Sequence, residues 1–131
     1  MKIVADASAI IAVILNEAEK EHIIRLTENA SIYAPLSVHW EIGNAFSSML
    51  KRKLIDIKKT AYAFEEYKQI PIHYIDVDLV KSLKIADDLG IYAYDAYLLC
   101  CAKDNRMPLL SLDKKLIKAA ASISISTLDI A

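Results

Sequence analysis

With 131 residues, 55% hydrophobic and 25% charged, the chain can bury roughly two thirds of its unfolded surface in one core, which excludes general disorder. It reads as a single domain spanning residues 1–131, and only 2 Gly and 3 Pro predict a helix-rich fold. A formal net charge of −1 neither announces nor excludes a nucleic-acid partner, so local charge has to decide that.

The first predicted strand is Lys2 to Asp6, apolar and β-branched in its middle as a buried parallel strand would be. Ser8 then suits the N-cap of a helix running through Ile10, Ile11, Val13, Ile14 and Leu15. The apolar run Ala9–Leu15 falls well short of the roughly 20 residues that cross a bilayer, and no basic leader precedes it. No membrane association or export is expected. Glu17–Glu28 is a second amphipathic helix, and Ser31–Ala34 a brief strand stopped by Pro35. Ser37 can cap the next helix, which continues through Trp40, Phe46, Met49 and Leu50 into Lys51-Arg52-Lys53.

Ile57–Gln69 follows as a helix, Ile72–Ile75 as the third strand, and Val77–Leu89 as a helix that Gly90 ends. Asp95–Asp104 is a helix and Leu109–Leu112 a strand, followed by a short helix Lys114–Ala120 and a final strand Ser124–Leu128. Strands alternating with helices predict a doubly wound α/β sheet with right-handed crossovers. Adjacent Cys100 and Cys101 cannot readily form a disulfide with each other. They read as buried or half-buried free thiols of a reducing compartment, so the cytoplasm is the expected location.

Four acids stand where the chain changes element: Asp6, Glu41, Asp95 and Asp113. In a parallel sheet such switch points collect outside the carboxyl ends of the strands, so acids distant in sequence can converge. Convergent carboxylates repel at roughly 3 kcal/mol per pair for about 5 Å and an effective dielectric near 20. A cation offsets such repulsion, and an all-oxygen cage favours Mg²⁺ or Mn²⁺. The bland reading of Asp6, Asp95 and Asp113 is helix capping, weakened for Asp6 because Ser8 already suits that role. Glu41 on a helix is ordinarily solvated, yet Asn44 lies one turn on and shares its face.

The ordered set Asp6-Ala7-Ser8, Glu41-x-x-Asn44, Tyr94-Asp95-Ala96 and Ser111-x-Asp113 resembles the motifs of PIN domains, and in particular of VapC-type toxin ribonucleases. The resemblance spans the chain and implies a three-layer sandwich: a five-stranded parallel sheet in the order 3-2-1-4-5, flanked by helices. It makes Asp6, Glu41 and Asp95 the principal catalytic and metal-site acids and Asp113 the fourth. Ser8, Asn44 and Ser111 would be polar supports, Ser111 standing where the family often has Thr. It further implies an Mg²⁺- or Mn²⁺-dependent endoribonuclease acting on RNA, paired with a small antitoxin protein and forming a homodimer. If two ions bind, they should lie roughly 3.5–4 Å apart and bracket the scissile phosphate.

Histidine-based cleavage has little support, because His39 and Glu41 are two apart on a helix and do not face each other. The basic stretches Lys51-Arg52-Lys53 with Lys58-Lys59, and Lys114, Lys115 and Lys118, are either solvated faces or phosphate contacts. Tyr62, Phe64 and Tyr67 are expected to pack in a core or a dimer seam rather than to stack on bases. A receiver domain would need an acidic pair after the first strand, and a haloacid-dehalogenase-type phosphatase an acid at the place of Ser8. A PIN-like module without catalysis, or a PIN nuclease outside a toxin–antitoxin pair, remains the alternative.

Overall fold

The computed structural model describes residues 1–130. In chain order the elements are β1 (Lys2–Ala5), α1 (Ala7–Ile14), α2 (Lys20–Thr27), β2 (Ser31–Pro35), α3 (Ser37–Lys51) and α4 (Ile57–Lys68). β3 (Ile72–Ile75), α5 (Leu79–Leu89), α6 (Ala93–Asp104), β4 (Leu109–Leu110) and α7 (Lys114–Ser122) complete the order. The strands pair in parallel in the order β3-β2-β1-β4, with Ile3 opposite Ile32, Val4 opposite Leu109 and Ile32 opposite Ile72.

β1 sits inside the sheet because it has no polar side chain to give to water after Lys2. Ile3, Val4 and Ala5 are all buried, as a strand covered on both faces requires. Ala5 packs with Ile10, Val38, Ile42 and Phe46 of α1 and α3. Val4, whose side chain points to the other face, packs with Leu98, Leu99 and Leu116 of α6 and α7. Alternation along one short strand thus builds helical layers on both sides, the three-layer α/β arrangement anticipated from the pattern.

The sheet has four strands where five were expected. Ser124–Leu128 contributes only an isolated parallel bridge, Thr127 to Leu109. β4 is two residues long and offers little edge. Leu109 donates to Ser126 O at 2.8 Å and accepts from Leu128 N at 3.0 Å, after which the ladder stops. Strand β4 also ends at Leu110 rather than Leu112, which releases Ser111 and the following residues for polar contacts.

Helix starts differ from expectation in an informative way. Ser8 does not cap α1; Asp6 does, accepting from Ala9 N at 3.0 Å. Ser37 does not cap α3 but is its first residue, after Leu36. Asp56, Asp78 and Asp113 cap α4, α5 and α7 through their side chains. Gly90 ends α5 with φ of 65°, the left-handed conformation that glycine adopts without a Cβ penalty. Phe64 and Tyr67 pack on the core side of α4, Phe64 edge-on to Phe46 at 5.0 Å. Tyr62, grouped with them in the sequence, instead faces outward at 67% exposure.

Candidate functional site

The parallel pairing of Ala5 with Leu110 brings the ends of β1 and β4 side by side. The residues that follow, Asp6 and Ser111, therefore emerge together on one edge of the sheet. Ser111 Oγ donates to Asp6 Oδ2 at 2.5 Å, and Ser8 Oγ donates to Oδ1 and Oδ2 at 2.8 and 2.9 Å. With Ala9 N, the Asp6 carboxylate receives a backbone amide and two hydroxyls. Each serine is itself fixed by a backbone amide of the segment between β4 and α7: Leu112 N donates to Ser8 Oγ and Asp113 N to Ser111 Oγ, both at 2.9 Å. Asp6 is buried, and burial is the main cause that raises its pKa, against the lowering effect of Ser111, Ala9 and Ser8. The carboxylate is oriented from several sides.

Glu41 is placed by α3, whose Val38, Ile42 and Phe46 point into the core at helical spacing. That orientation leaves Glu41 half-buried at the margin of the core face. Its Oε2 is buried with no hydrogen-bond partner among the described residues. Burial, followed by the charges of Asp6, Asp95 and Asp113, raises its pKa from 4.5 to about 7. Asn44 shares the helix face but is exposed and leaves Oε2 unpartnered.

Asp95 is the third residue of α6, in the first turn and half-buried, where a negative charge suits the helix N-terminus. Burial first, then the charge of Asp113, raises its pKa. Asp113 is exposed, and its Oδ1 accepts from Lys115 N and Leu116 N to cap α7. Asp113 both caps a helix and adds its charge to that felt by the other three acids.

The donor set is therefore all oxygen, mutually repelling and partly unsatisfied, which is the chemistry that suits a hard divalent cation. Among the described residues no group of three His, Cys, Asp or Glu side chains is arranged to hold an ion directly. Mg²⁺ does not need such a cage, since it keeps several waters and commonly takes only one or two carboxylates. The residues fit an ion held by one or two carboxylates and water, and the buried Oε2 of Glu41 is an acid oxygen without a hydrogen-bond partner among the described residues.

The two basic stretches differ in their relation to the acids. Lys51 stands ten residues along α3 from Glu41, about 15 Å at 1.5 Å per residue. Lys114 directly follows Asp113 and lines an open recess together with Ser111 and Glu19. A second recess, lined by Ser37, Pro35, Ile75 and Tyr97, lies on the β2–β3 side of the same edge. The expectation for Ser37 was a cap alone; its place in this recess depends on the ends of β2 and β3 lying side by side, which local sequence does not display. His39, at the other flank of α3, lies 3.4 Å from Tyr67 Oη and packs edge-on to Trp40.

A family model described as PIN domain matches residues 3–122. Among solved structures, the chain is similar to PAE2754 from Pyrobaculum aerophilum, with 22% identity and a TM-score of 0.67 over 91% of this chain and 87% of that one. VapBC2 from Rickettsia felis, solved with a DNA fragment from its promoter, has 15% identity and a TM-score of 0.66 over 98% and 100%. VapBC-1 from nontypeable Haemophilus influenzae has 16% identity and a TM-score of 0.66 over 99% and 98%. At these identities the likeness is one of fold. No curated protein matches the chain in sequence.

Proposed function

Because the chain belongs to the PIN-domain family, whose members are generally nucleases, we propose that it is an Mg²⁺-dependent endoribonuclease and the toxin of a type II toxin–antitoxin pair. The observation that carries the reading is the unpartnered, buried Oε2 of Glu41 among three other carboxylates. Leaving a buried polar group unpaired costs about 1–3 kcal/mol, and a cation bound beside that oxygen would offset the cost. The fold likeness to the VapBC structures and to FitAcB from Neisseria gonorrhoeae supports a small antitoxin partner. No helix among the described residues is long and apolar enough to cross a membrane. The proposed setting is the cytoplasm, with the chain acting as one domain and as a homodimer.

In this reading Asp6 and Asp95 would hold the principal Mg²⁺, Glu41 would orient it or a second ion, and Asp113 would bind a second ion or position water. Bound Mg²⁺, for which Mn²⁺ can substitute, supplies an acidified water and positive charge for the phosphate. Ser8 and Ser111 keep Asp6 in one rotamer, so that the ion is met by a fixed oxygen rather than a searching one. Asn44 and Lys114 remain available to the phosphate backbone. Products should carry 5′-phosphate and 3′-hydroxyl ends.

The test is an Mg²⁺ titration of cleavage on single-stranded and structured RNA, with wild type beside Asp95→Asn. Cleavage should need the metal and should fail in the variant. Cleavage that persists in EDTA, or an Asp95→Asn protein as fast as wild type, refutes the proposal. A protein that binds an antitoxin but neither Mg²⁺ nor RNA would point to the non-catalytic module instead.

A further inference from the structure

α3 carries a second unsatisfied polar atom, one turn before Glu41. Ser37 Oγ is buried and has no hydrogen-bond partner among the described residues. Residues four apart share a helix face, and four steps of 1.5 Å put Ser37 about 6 Å from Glu41 along the axis. Ser37 also lines a recess of about 220 Å³ at the carboxyl ends of β2 and β3, the strands that end in Pro35 and Ile75. Tyr97, two residues beyond Asp95 on α6, lines it as well. Leu36 and Leu79 border the space and stay open to solvent at 51% and 60% exposure. Asp76 supplies the one carboxylate.

We propose that this recess receives one unpaired base of the RNA strand whose backbone crosses the carboxylates. The proposal rests on the nuclease reading and names how its substrate is selected. The volume lies below the roughly 300–1,000 Å³ of pockets for drug-sized ligands, and suits a single planar heterocycle. Apolar walls and an aromatic ring match the faces of a base, and two polar groups match its edge. Ser37 Oγ can donate or accept, whereas an ionised Asp76 only accepts. Every unpaired base offers at least one N–H on its free edge, an exocyclic amine in adenine, cytosine and guanine and the N3–H in uracil, from which Asp76 can accept. The recess should therefore take any of the four bases. A base held in a duplex cannot enter, so the strand must be unpaired at that nucleotide.

The experiment uses the full chain in the Asp95→Asn background, with Mg²⁺, and fluorescein-labelled single-stranded RNA octamers read by anisotropy. An abasic nucleotide is walked through each position. At one position its presence should weaken binding about tenfold, the scale of a base–aromatic stack. Adding Ser37→Ala or Tyr97→Leu should shrink that abasic penalty to under about threefold. Melting curves check that each variant is folded, and the Ser37 variant removes only a hydroxyl. An abasic penalty equal at all positions, or one untouched by Ser37→Ala, overturns the base recess. So does a recess closed by a second copy of the chain, seen as Leu79→Lys converting dimer to monomer while RNA binding stays flat. Metal-dependent cleavage by the wild type beside such a result leaves the nuclease reading standing; absence of both cleavage and binding removes the two together.

Discussion

The β1–β4 side and the α3–α6 side of the acidic edge solve the same electrostatic problem in opposite ways. On the first, Asp6 is buried and burial raises its pKa, but Ala9 N, Ser8 Oγ and Ser111 Oγ all donate to it, so its orientation is fixed and the rise is partly offset by hydrogen bonds within the protein. On the second, Glu41 Oε2 is buried with no answer, and its carboxyl is pushed to about 7. Preorganisation and readiness are thus divided between residues. The strand end supplies a carboxylate whose position is settled before any ligand arrives, and the helix supplies one whose protonation state a ligand can change.

The largest effect should come from Asp6→Asn. The amide keeps an oxygen for Ala9 N, and the two serine hydroxyls can turn to accept, so the fold should survive while the charge is lost. RNA cleavage should fall on the order of 100-fold or more, as for removal of a preorganised electrostatic group. Circular dichroism and melting temperature check the fold beside the rate. Unchanged cleavage would place the essential charge elsewhere and remove the distinction between the two sides.

Glu41→Gln tests the other side, and here pH separates stability from function. Because the folded-state pKa of about 7 lies above the ordinary 4.5, the native state holds the extra proton between those values. Stability contributed by the protonated carboxyl is full below about pH 4.5 and is lost as pH rises through about 7. The glutamine variant should therefore melt higher than wild type at pH 8 in EDTA and at nearly the same temperature at pH 4, while cleaving poorly at both. Mg²⁺ should reverse the ranking at pH 8, since an ion competes with the proton for the same oxygen and raises only the wild-type melting temperature. A variant with no pH-dependent advantage would mean that the carboxylate is not desolvated.

Much of the fold is legible in the residues, whereas the division between the two sides is not, and both facts have physical causes. The alternation of strands and helices announces the sheet, because a run such as Ile3-Val4-Ala5 has no face it can leave in water. The fifth strand fails because strand formation depends on a partner edge, and β4 is only two residues long. Adjacent Cys100 and Cys101 are buried free thiols, as their spacing predicts, and burial pushes Cys101 up to about 12. The expected cap at Ser8 goes to Asp6, whose side chain at the strand end accepts from Ala9 N; Ser8 is two positions too late and turns back onto the carboxylate instead. Local rules name residues that can cap or coordinate. They do not say which oxygen will be left over, since that depends on β1, β4, α3 and α6 meeting at one edge.

Ser111→Ala sharpens the comparison at lower amplitude. It deletes the 2.5 Å hydrogen bond to Asp6 Oδ2 and the acceptor of Asp113 N, but leaves Ser8 and Ala9 N on the carboxylate. A stability loss of about 1–3 kcal/mol is expected from urea denaturation, because a buried carboxylate oxygen and an amide lose partners. Cleavage should fall about 10–100-fold, the usual cost of removing a group that orients a metal ligand. Ser111→Thr should restore both, since it returns the hydroxyl. Failure of threonine to rescue would show that packing at Ser111, rather than its hydrogen bond, supports Asp6.

Asn44→Ala should matter least for stability, and that small number is diagnostic. Asn44 is exposed and leaves Glu41 Oε2 without a partner, so the fold draws nothing from its amide. Its stability should stay within about 0.5 kcal/mol of wild type, as for an ordinary surface position. Any functional cost must then arise when RNA or metal is present, and steady-state kinetics can tell the cases apart. A raised KM at unchanged kcat would make Asn44 a backbone contact bound equally in ground and transition states; equal falls in kcat and kcat/KM would mean that it engages only as the phosphate reacts. A stability loss beyond about 1 kcal/mol would instead show that the amide already bonds to Glu41 in the free protein, and the α3–α6 side would then be as preorganised as β1–β4.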